Sequence, residues 1–272
     1  MKQLTLVPEG GLCNRIYAIT SAINFAKKHN LLLTVYWLKD WGMGAWFHDL
    51  FTLSSTVENV EIKDAGFLDF FKYAKPIKSN FFLPKLYQKI NFGTTYFWYK
   101  ERKSVEEWYL SNEKVSSFYL FHCQKFYPNN EFLNVLLPQK HIQKRIDEQA
   151  KLLSPNTIGI HIRRTDHVNA IKHSSSAAFI EKMQHEVDLN TEVNFYVASD
   201  SLEEKQHLAA MFGKRIIAAK NVLRRNTKDG IVDALVELHT LASTKKIYGS
   251  FQSTYSALAA EIKNIPISII QI

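Results

Sequence analysis

The sequence predicts an α/β protein with two domains, of which the C-terminal one is built around a doubly wound parallel sheet. Short runs of alternating apolar and polar residues, such as residues 157–163, are typical of strands. Helix-length segments separate these runs regularly after Pro138. The length of 272 residues suits one large or two small domains. We therefore assign residues 1–137 to an N-terminal domain and residues 138–272 to a C-terminal domain.

The N-terminal domain opens as a β-α-β unit. Its first strand leads through the loop PEGG into a helix whose isoleucines recur on one side and whose expected end is Asn30. Residues 65–115 are rich in aromatic residues and lysine without a clear period, so no element is assigned there. The predicted elements are strands at residues 4–7, 31–37, 59–64 and 116–123 and a helix at residues 13–30.

The C-terminal domain alternates strands and helices with regular spacing. Its first helix has Pro138 in the first turn, which proline tolerates well, and Ile142 and Ile146 on one face. Helices of this length between parallel strands cover both faces of a sheet. The predicted helices are residues 138–153, 176–188, 202–212, 229–243 and 253–263, and the predicted strands are residues 157–163, 193–198, 215–219, 246–249 and 267–270.

Composition and charge restrict the class of partner. Hydrophobic residues make up 46% and charged residues 22%, as in an ordinary globular protein. The net charge of +8 favours anionic partners such as nucleotides, phosphates, nucleic acid or an acidic membrane surface. No block of lysine and arginine resembles a nucleic-acid tail, so we expect a phosphate-bearing ligand and no nucleic acid. The aromatic and basic stretch at residues 81–103 keeps base stacking as a distant alternative.

Cysteine content and hydropathy indicate the compartment. Cys13 and Cys123 are far apart, which argues against a disulfide framework or a zinc cluster and fits a reducing compartment. The first apolar run is too short for a signal peptide, and the longest, at residues 31–38, is too short to span a bilayer. We expect a cytoplasmic protein without a transmembrane segment, and the charge leaves peripheral membrane association open.

Polar and charged residues collect where the C-terminal strands end. The first strand ends in HIRRTDH, the second ends at Asp200, and the fourth runs into SFQSTYSALAAEI. Ligands of such sheets bind beyond the carboxyl ends of the strands. Hydroxyls and unpaired N–H groups at a helix start are suited to an anion, and arginines add positive charge. The strand ends therefore predict a site for a pyrophosphate.

Each of these features also has a simpler interpretation. Taken by themselves, Arg163 and Arg164 are better explained as structural ion-pair partners of Asp166 and Asp200. Serines and threonines at a helix start are most often caps, and PEGGLCNR is not the Gly-x-Gly-x-x-Gly dinucleotide fingerprint. The common position of these features on one predicted edge is what favours a ligand site.

Four segments together resemble the motifs of the fucosyltransferase superfamily, which includes the α-1,6-, nodulation, α-1,2- and protein O-fucosyltransferases. These segments are GGLCNRIYAITSAINFAKKHN, IGIHIRRTDHV, NFYVASDS and DALVELHTLASTKKIYGSFQSTYSALAAEI. The resemblance implies a GT-B-like fold of two Rossmann-like domains. In such a fold the C-terminal domain holds a GDP-sugar and the N-terminal domain faces a saccharide acceptor.

The resemblance also implies roles for the first C-terminal strand. Arg163 matches the arginine that binds the β-phosphate of the donor, and His161 matches a nucleotide or ribose contact. Arg164 and Asp166 would support the strand end. Asp200 matches a position on the nucleotide side.

Further donor contacts are implied elsewhere. Glu237 occupies the position of an acid that reads guanine, where relatives usually have aspartate. The phosphate-binding turn and the opposite domain would supply Ser250, Gln252, Ser253, Thr254, Gly10, Gly11 and Asn14.

The general base does not follow directly from the resemblance. The α-1,6-fucosyltransferases have a glutamate seven residues after the second arginine, and here Ile171 stands at that position. Glu9 is the favoured substitute because PEGG resembles a Pro-Glu-Gly loop in which the glutamate is the proposed base. His167 is the second candidate, and Asp40 and His173 are weaker ones.

The chemistry expected from these residues is an inverting transfer of fucose or a related sugar from a GDP-sugar to a glycan hydroxyl. The chain has no Asp-x-Asp segment, so we expect no metal and no further cofactor, with arginine stabilising the departing phosphate. A non-catalytic nucleotide- or carbohydrate-binding protein of the same fold is the alternative, motivated by the missing glutamate at Ile171.

Overall fold

The computed structural model describes residues 1–129, 131, 133–165, 168–219 and 224–271. The chain divides into two compact units, Met1–Gln139 with Arg225–Lys228, and Lys140–Arg224 with Asp229–Ile272. The boundary expected from the sequence falls after residue 137. The assignment of Arg225–Lys228 to the first unit rests on contacts such as the one between Gly44 N and Arg225 O, at 2.8 Å.

The first unit contains a five-stranded parallel sheet with the strand order β4-β2-β1-β6-β5. Two further strands, β3 and β7, pair with each other in antiparallel fashion. The elements are β1 (Lys2–Pro8), α1 (Leu12–His29), β2 (Leu31–Trp37), α2 (Phe47–Leu50), β3 (Phe51–Leu53), β4 (Val60–Asp64), α3 (Phe67–Tyr73), α4 (Leu83–Asn91), β5 (Thr94–Phe97), α5 (Val105–Leu110), β6 (Ser117–His122) and β7 (Leu136–Pro138).

Helix α1 illustrates how local sequence and packing agree. Asn30 ends the helix in the left-handed conformation, with φ 52°, and its N–H donates to the carbonyls of Ala26 and Lys27. Lys27 and Lys28 occupy the last turn, where their positive charges complement the helix dipole. The helix end predicted at Asn30 is thus confirmed.

The second unit contains a five-stranded parallel sheet with the strand order β10-β9-β8-β11-β12. The predicted α/β class, with a parallel sheet in each domain, is confirmed. The elements are α6 (Lys140–Ala150), β8 (Thr157–Ile162), α7 (Val168–His173), α8 (Ser176–Leu189), β9 (Asn194–Ser199), α9 (Leu202–Phe212), β10 (Ile216–Ile217), α10 (Lys228–Ala242), β11 (Ile247–Ser250), α11 (Thr254–Lys263) and β12 (Ile267–Ile270).

The core of the second unit lies around the central strand. Ile158, Ile160 and Ile162 of β8 are buried among side chains of the neighbouring strands and of α8 and α9. A Cβ at Gly159 would lie 2.6 Å from Leu241 Cδ1, so α10 packs closely on this strand. In the described parts of both units, no helix has the length and apolar character needed to cross a bilayer.

One predicted element begins later than expected. Pro138 ends β7 opposite Phe51, and α6 starts at Lys140 rather than in the turn of Pro138. The Gln139 N–H donates to Leu50 O at 2.9 Å, which extends the strand pairing and delays the helix. Sequence alone does not reveal this pairing partner, since it lies in a distant part of the chain.

Candidate functional site

The carboxyl ends of β8, β9 and β11 meet because β8 lies between the other two strands. Ser250, at the end of β11, is fully buried. Its Oγ accepts a hydrogen bond from Arg163 N at 3.0 Å and donates one to His161 O at 3.2 Å. The end of β8 is thus fixed to the beginning of the serine-rich turn.

Asp200 shapes the loop that follows β8. Its Oδ1 accepts from Arg164 N at 2.8 Å, and its Oδ2 accepts from Thr165 Oγ1 at 2.7 Å. Arg163 Nε lies 3.1 Å from the same Oδ2. The simpler interpretation of Asp200 as an ion-pair partner of Arg163 therefore holds. Asp200 orients the arginine and the loop backbone together.

Arg164 is directed into the unit. Its Nε lies 3.3 Å from Glu204 Oε2, and its Nη2 donates to Ser176 Oγ at 3.1 Å. Ser176 Oγ in turn donates to Glu204 Oε2 at 2.9 Å. The guanidinium thus connects the loop after β8 to α8 and α9. Ser176 and Glu204 were missed, because each follows an ordinary helix-start pattern.

His161 is enclosed at the base of the site. Its ring stacks on Tyr255 with centroids 4.8 Å apart, and Nδ1 lies 3.4 Å from Ser253 Oγ. Burial, reinforced by the charge of Arg163, lowers the pKa of His161 to about 3. The imidazole is therefore neutral at physiological pH and holds Tyr255 and Ser253 in position without adding charge.

The turn between β11 and α11 exposes a helix start. Gln252 adopts φ 52°, and its Oε1 accepts from Asn169 Nδ2 at 3.3 Å. Ser253 is the N-cap residue, but its side chain makes no cap hydrogen bond. The first turn of α11 begins at Thr254, and the positive end of the helix dipole lies there. Such a turn is suited to an anion.

Glu237 is buried inside the second unit. Its carboxylate is 2% exposed, and Oε1 accepts from Lys205 Nζ at 2.6 Å. Burial raises the pKa of Glu237 to about 7, against the opposing effect of Lys205. No hydrogen bond to Oε2 is found among the described residues. In this conformation the carboxylate is hydrogen-bonded to Lys205 of α9.

The glycine turn after β1 has two unlike glycines. Gly10 adopts φ 88°, and a Cβ there would lie 3.0 Å from Asn14 Nδ2. Gly11 is the N-cap of α1, and a Cβ at this position would meet no atom within 4 Å. Gly10, Gly11 and Asn14 thus lie close together at the start of α1.

Arg15 is the main residue that the sequence analysis missed. It is completely buried, and its Nε donates to Gly10 O at 2.8 Å, Nη1 to Leu38 O at 2.6 Å and Nη2 to Asp40 Oδ2 at 2.6 Å. The guanidinium also lies 4.8 Å from the Trp37 ring. An arginine within an otherwise apolar helix, directly after a glycine turn, is the signal that could have identified it.

The candidate bases have different surroundings. Glu9 is partly exposed, and its Oε2 accepts from Trp98 Nε1 at 3.0 Å. Asp40 is engaged by Arg15, and the His173 ring lies 5.0 Å from that of Phe251. His167 and Asp166 lie outside the described residues.

The predicted site residues thus lie in two groups, one in each unit. In the second unit, His161, Arg163, Arg164, Asp200, Ser250 and Ser253 are joined by direct contacts, and Gln252 and Thr254 belong to the same turn. In the first unit, Glu9 precedes the glycine turn. Among the described residues, no three His, Cys, Asp or Glu side chains form a group that could hold a metal ion.

No family model and no curated protein matches the chain, but solved structures do. The α-1,6-fucosyltransferase NodZ soaked with GDP-fucose has a TM-score of 0.70 at 15% identity, covering 98% of this chain and 94% of that chain. POFUT1 in complex with GDP has a TM-score of 0.60 at 12% identity, covering 100% of this chain and 99% of that chain. A mutant of Arabidopsis thaliana FUT1 in complex with GDP has a TM-score of 0.63 at 15% identity, covering 98% of this chain and 70% of that chain.

At these identities the likeness concerns the fold. It extends over almost the whole chain, including residues 65–115, where the sequence allowed no element to be assigned. The chain has the GT-B-like fold with two Rossmann-like domains that its resemblance to the fucosyltransferase superfamily implied.

Proposed function

We propose that the protein is an inverting, metal-independent glycosyltransferase that moves fucose or a related sugar from a GDP-sugar to a saccharide hydroxyl. The observation that carries this proposal is the junction of Arg163, Ser250 and the start of α11 at one sheet edge. The GDP and GDP-fucose complexes among the structural neighbours support a guanine nucleotide as the donor.

The proposed donor contacts are those that can meet a diphosphate. When the bond between the sugar and the β-phosphate breaks, its electron pair stays on the phosphate oxygen. The Arg163 guanidinium and the N–H groups at the start of α11 would stabilise this charge more strongly in the transition state than in the ground state. Glu237 is not among the proposed contacts, because its carboxylate is bonded to Lys205 inside the unit.

Glu9 is the proposed general base. Its carboxylate would take the proton of the acceptor hydroxyl while the hydroxyl oxygen forms the new bond to the sugar with inversion. The bond from Trp98 leaves the carboxylate partly exposed and fixes its orientation. His167 is the second candidate for this role.

Calorimetric titration with GDP, UDP and CMP tests the donor proposal. We expect selective binding of GDP that does not change between EDTA and magnesium. In Arg163→Ala we expect the affinity for GDP to fall about 100-fold, because a charge-assisted contact to phosphate is lost. Arg145→Ala, which removes a partly exposed ion pair with Asp233 in the same unit, is the control and should change the affinity less than about twofold.

Two outcomes would contradict this proposal. Unchanged GDP affinity in Arg163→Ala would show that Arg163 does not contact the donor phosphate. Preference for UDP or CMP would leave the fold intact and overturn the donor.

A non-catalytic binding protein is the second candidate. It is favoured by Ile171, an apolar and 41% exposed side chain on α7 at the position of the missing glutamate. Turnover of GDP-fucose separates the two, because Glu9→Gln should slow it about 1000-fold with unchanged GDP affinity if Glu9 is the base. GDP binding without turnover of any GDP-sugar would favour the non-catalytic protein.

A further inference from the structure

The segment containing α3 and α4 exposes a large amount of apolar surface. Phe81 and Ile90 are 77% and 72% exposed, and Phe82, Leu83 and Leu86 are also exposed. We call these five residues the α4 face. Two more apolar side chains, Phe67 and Leu68, are exposed on α3. Exposed apolar surface of this extent in one segment marks an interaction site.

The α4 face follows the helix periodicity. Leu83, Leu86 and Ile90 are spaced by three and four residues and share one side of α4. Pro84 and Gln88 are buried on another side. The helix is therefore amphipathic with its apolar side outward, the reverse of an ordinary surface helix.

Internal hydrogen bonds hold the segment in this orientation. Gln88 Nε2 donates to Lys72 O at 3.2 Å and to Ala74 O at 3.1 Å. Asn80, which is fully buried, donates to Lys75 O at 2.8 Å and accepts from Ile77 N at 2.9 Å. The polar side chains thus point inward, and the fold leaves the apolar side chains outside.

The turn before α4 is strained. Phe81 and Phe82 both adopt the left-handed conformation, with φ 52° and φ 53°. Bulky residues rarely occupy this region, and each instance costs free energy. Glycine or asparagine would adopt it more easily, so the two exposed rings are retained against a conformational preference.

Charge identifies the partner. Residues 67–91 contain five lysines, namely Lys72, Lys75, Lys78, Lys85 and Lys89, against the single acidic residue Asp69. Lys85 and Lys89 lie one turn apart on α4, and both are exposed. Lysine is depleted in protein interfaces, whereas apolar side chains flanked by lysines are typical of elements that lie in an anionic bilayer surface.

We propose that the α4 face inserts into the headgroup and acyl boundary of an anionic membrane. The lysines contact lipid phosphates, and their long side chains reach from the apolar side to the headgroups. The occupant of this surface is the bilayer itself. The proposal does not depend on the donor or on the reaction, since it rests on residues of the first unit alone.

Sedimentation with vesicles of phosphatidylglycerol and phosphatidylcholine, compared with pure phosphatidylcholine, tests this proposal. We expect binding to the anionic vesicles that weakens with added salt. The double variant Phe81→Asn/Phe82→Asn should bind about 100-fold less, because two aromatic side chains no longer insert. Its Tm should stay the same or rise, since asparagine tolerates positive φ. The control Leu152→Asn/Leu189→Asn changes two exposed leucines of the second unit and should bind normally.

The lysines are tested separately. Lys78→Gln/Lys85→Gln/Lys89→Gln should weaken binding about 100-fold, at about 1 kcal/mol for each lysine near the surface. Lys140→Gln/Lys144→Gln/Lys151→Gln changes the net charge equally at exposed positions around α6 and should have little effect. Equal loss in both triple variants would indicate a general charge effect and overturn the assignment to the α4 face.

Three results would overturn the proposal itself. They are absence of binding to anionic vesicles at low salt, normal binding of the asparagine variant, and a loss of Tm in that variant large enough to explain its defect by unfolding. Self-association that the asparagine substitutions abolish, without vesicle binding, would make the α4 face a contact between two copies instead.

Discussion

Arg15 joins the turns that follow the first two strands. A buried guanidinium is costly unless its donors are satisfied. Here Gly10 O, Leu38 O and Asp40 accept three hydrogen bonds from it. Burial lowers the pKa of Arg15 to about 10, against the effects of Asp40 and Glu9, so it stays protonated. Arg15 is therefore a positioning residue for the glycine turn.

Replacing Arg15 should be strongly destabilising. We expect Arg15→Met to lower the free energy of unfolding by about 3 kcal/mol, because two backbone carbonyls and a carboxylate lose their donor. Urea denaturation measures the change. In the control Arg102→Met, at an exposed position, the free energy of unfolding should stay within about 0.5 kcal/mol of the wild-type value. A similar small effect for Arg15→Met would show that the turn holds without it.

The two glycines of that turn give a matched comparison. Gly10→Ala should lower the free energy of unfolding by about 1–2 kcal/mol, because its φ of 88° is strained for alanine and Asn14 lies close. Gly11→Ala should be tolerated, since φ is −72° and nothing lies within 4 Å. Thermal denaturation of both variants checks this order, and equal Tm values would contradict it.

The sequence revealed some of these residues and not others. The glycine turn was predictable because Gly10, Gly11 and Asn14 are close in sequence. Arg15 was not, because its partner Asp40 is 25 residues away and comes near only through the pairing of β1 with β2. The family resemblance implies a ligand contact for Glu237. Its hydrogen bond with Lys205 was not predictable, because it depends on the packing of α10 against α9.

At the level of elements, the packing of α11 on β11 defines the candidate phosphate turn. Gly249 allows this packing, since a Cβ there would lie 2.5 Å from Ser256 Oγ and 2.8 Å from Ser256 Cβ. Because Ser250 follows immediately and bonds to Arg163, a shift of α11 would be transmitted to the arginine loop.

Gly249→Ala should therefore weaken GDP binding and stability together. We expect about tenfold lower GDP affinity. The free energy of unfolding should fall by about 1–3 kcal/mol, as for other substitutions that overpack a core. The double variant Gly249→Ala/Ser256→Gly removes the clashing side chain and should recover most of both losses. Calorimetry and denaturation provide the readouts, and failure of the double variant to recover would mean that the close packing is not the cause.

Elements were predictable where their periodicity was long enough. Most strands and helices of the second unit lie close to their predicted positions, since each predicted helix spans several turns. The exceptions are α7, which was not predicted, and β10, which has two residues where residues 215–219 were expected. Between residues 65 and 115 the structure has α3, α4, β5 and α5, of 7, 9, 4 and 6 residues. Such short elements show too few repeats to be recognised, and α4 has its apolar side outward.

At the level of the whole molecule, His122 of the first unit and His161 of the second are buried, and His239 of the second is half-buried. Burial lowers the pKa of His122 and of His239 to about 4, and that of His161 to about 3. Their reference pKa of 6.5 applies to the unfolded chain. The unfolded state therefore binds protons between pH 6.5 and about 4 that the folded state does not.

Stability should consequently fall as the pH decreases through this window. The contribution of the three histidines is fully present above pH 6.5 and is lost towards pH 4. Glu237 has the opposite effect on stability, because its pKa is raised to about 7. It is a single group, however, and the three histidines together outweigh it. Urea midpoints between pH 7.5 and 4.5 measure the slope. His239→Gln should reduce it, and His141→Gln, at an exposed position, should not. A flat profile in the wild type would contradict the histidine assignment.

The sequence by itself determined the α/β class, the parallel sheets and the edge at which charged residues collect, because these depend on local periodicity and on strand ends. The tertiary structure decided which charges lie at the strand ends and which are bonded inside the fold. Arg163 remains at the strand end, while Arg164, Glu237 and Arg15 are directed inward by partners distant in sequence. It also decided that α4 turns its apolar side outward, since buried Gln88 and Asn80 fix that orientation through contacts that no local pattern encodes.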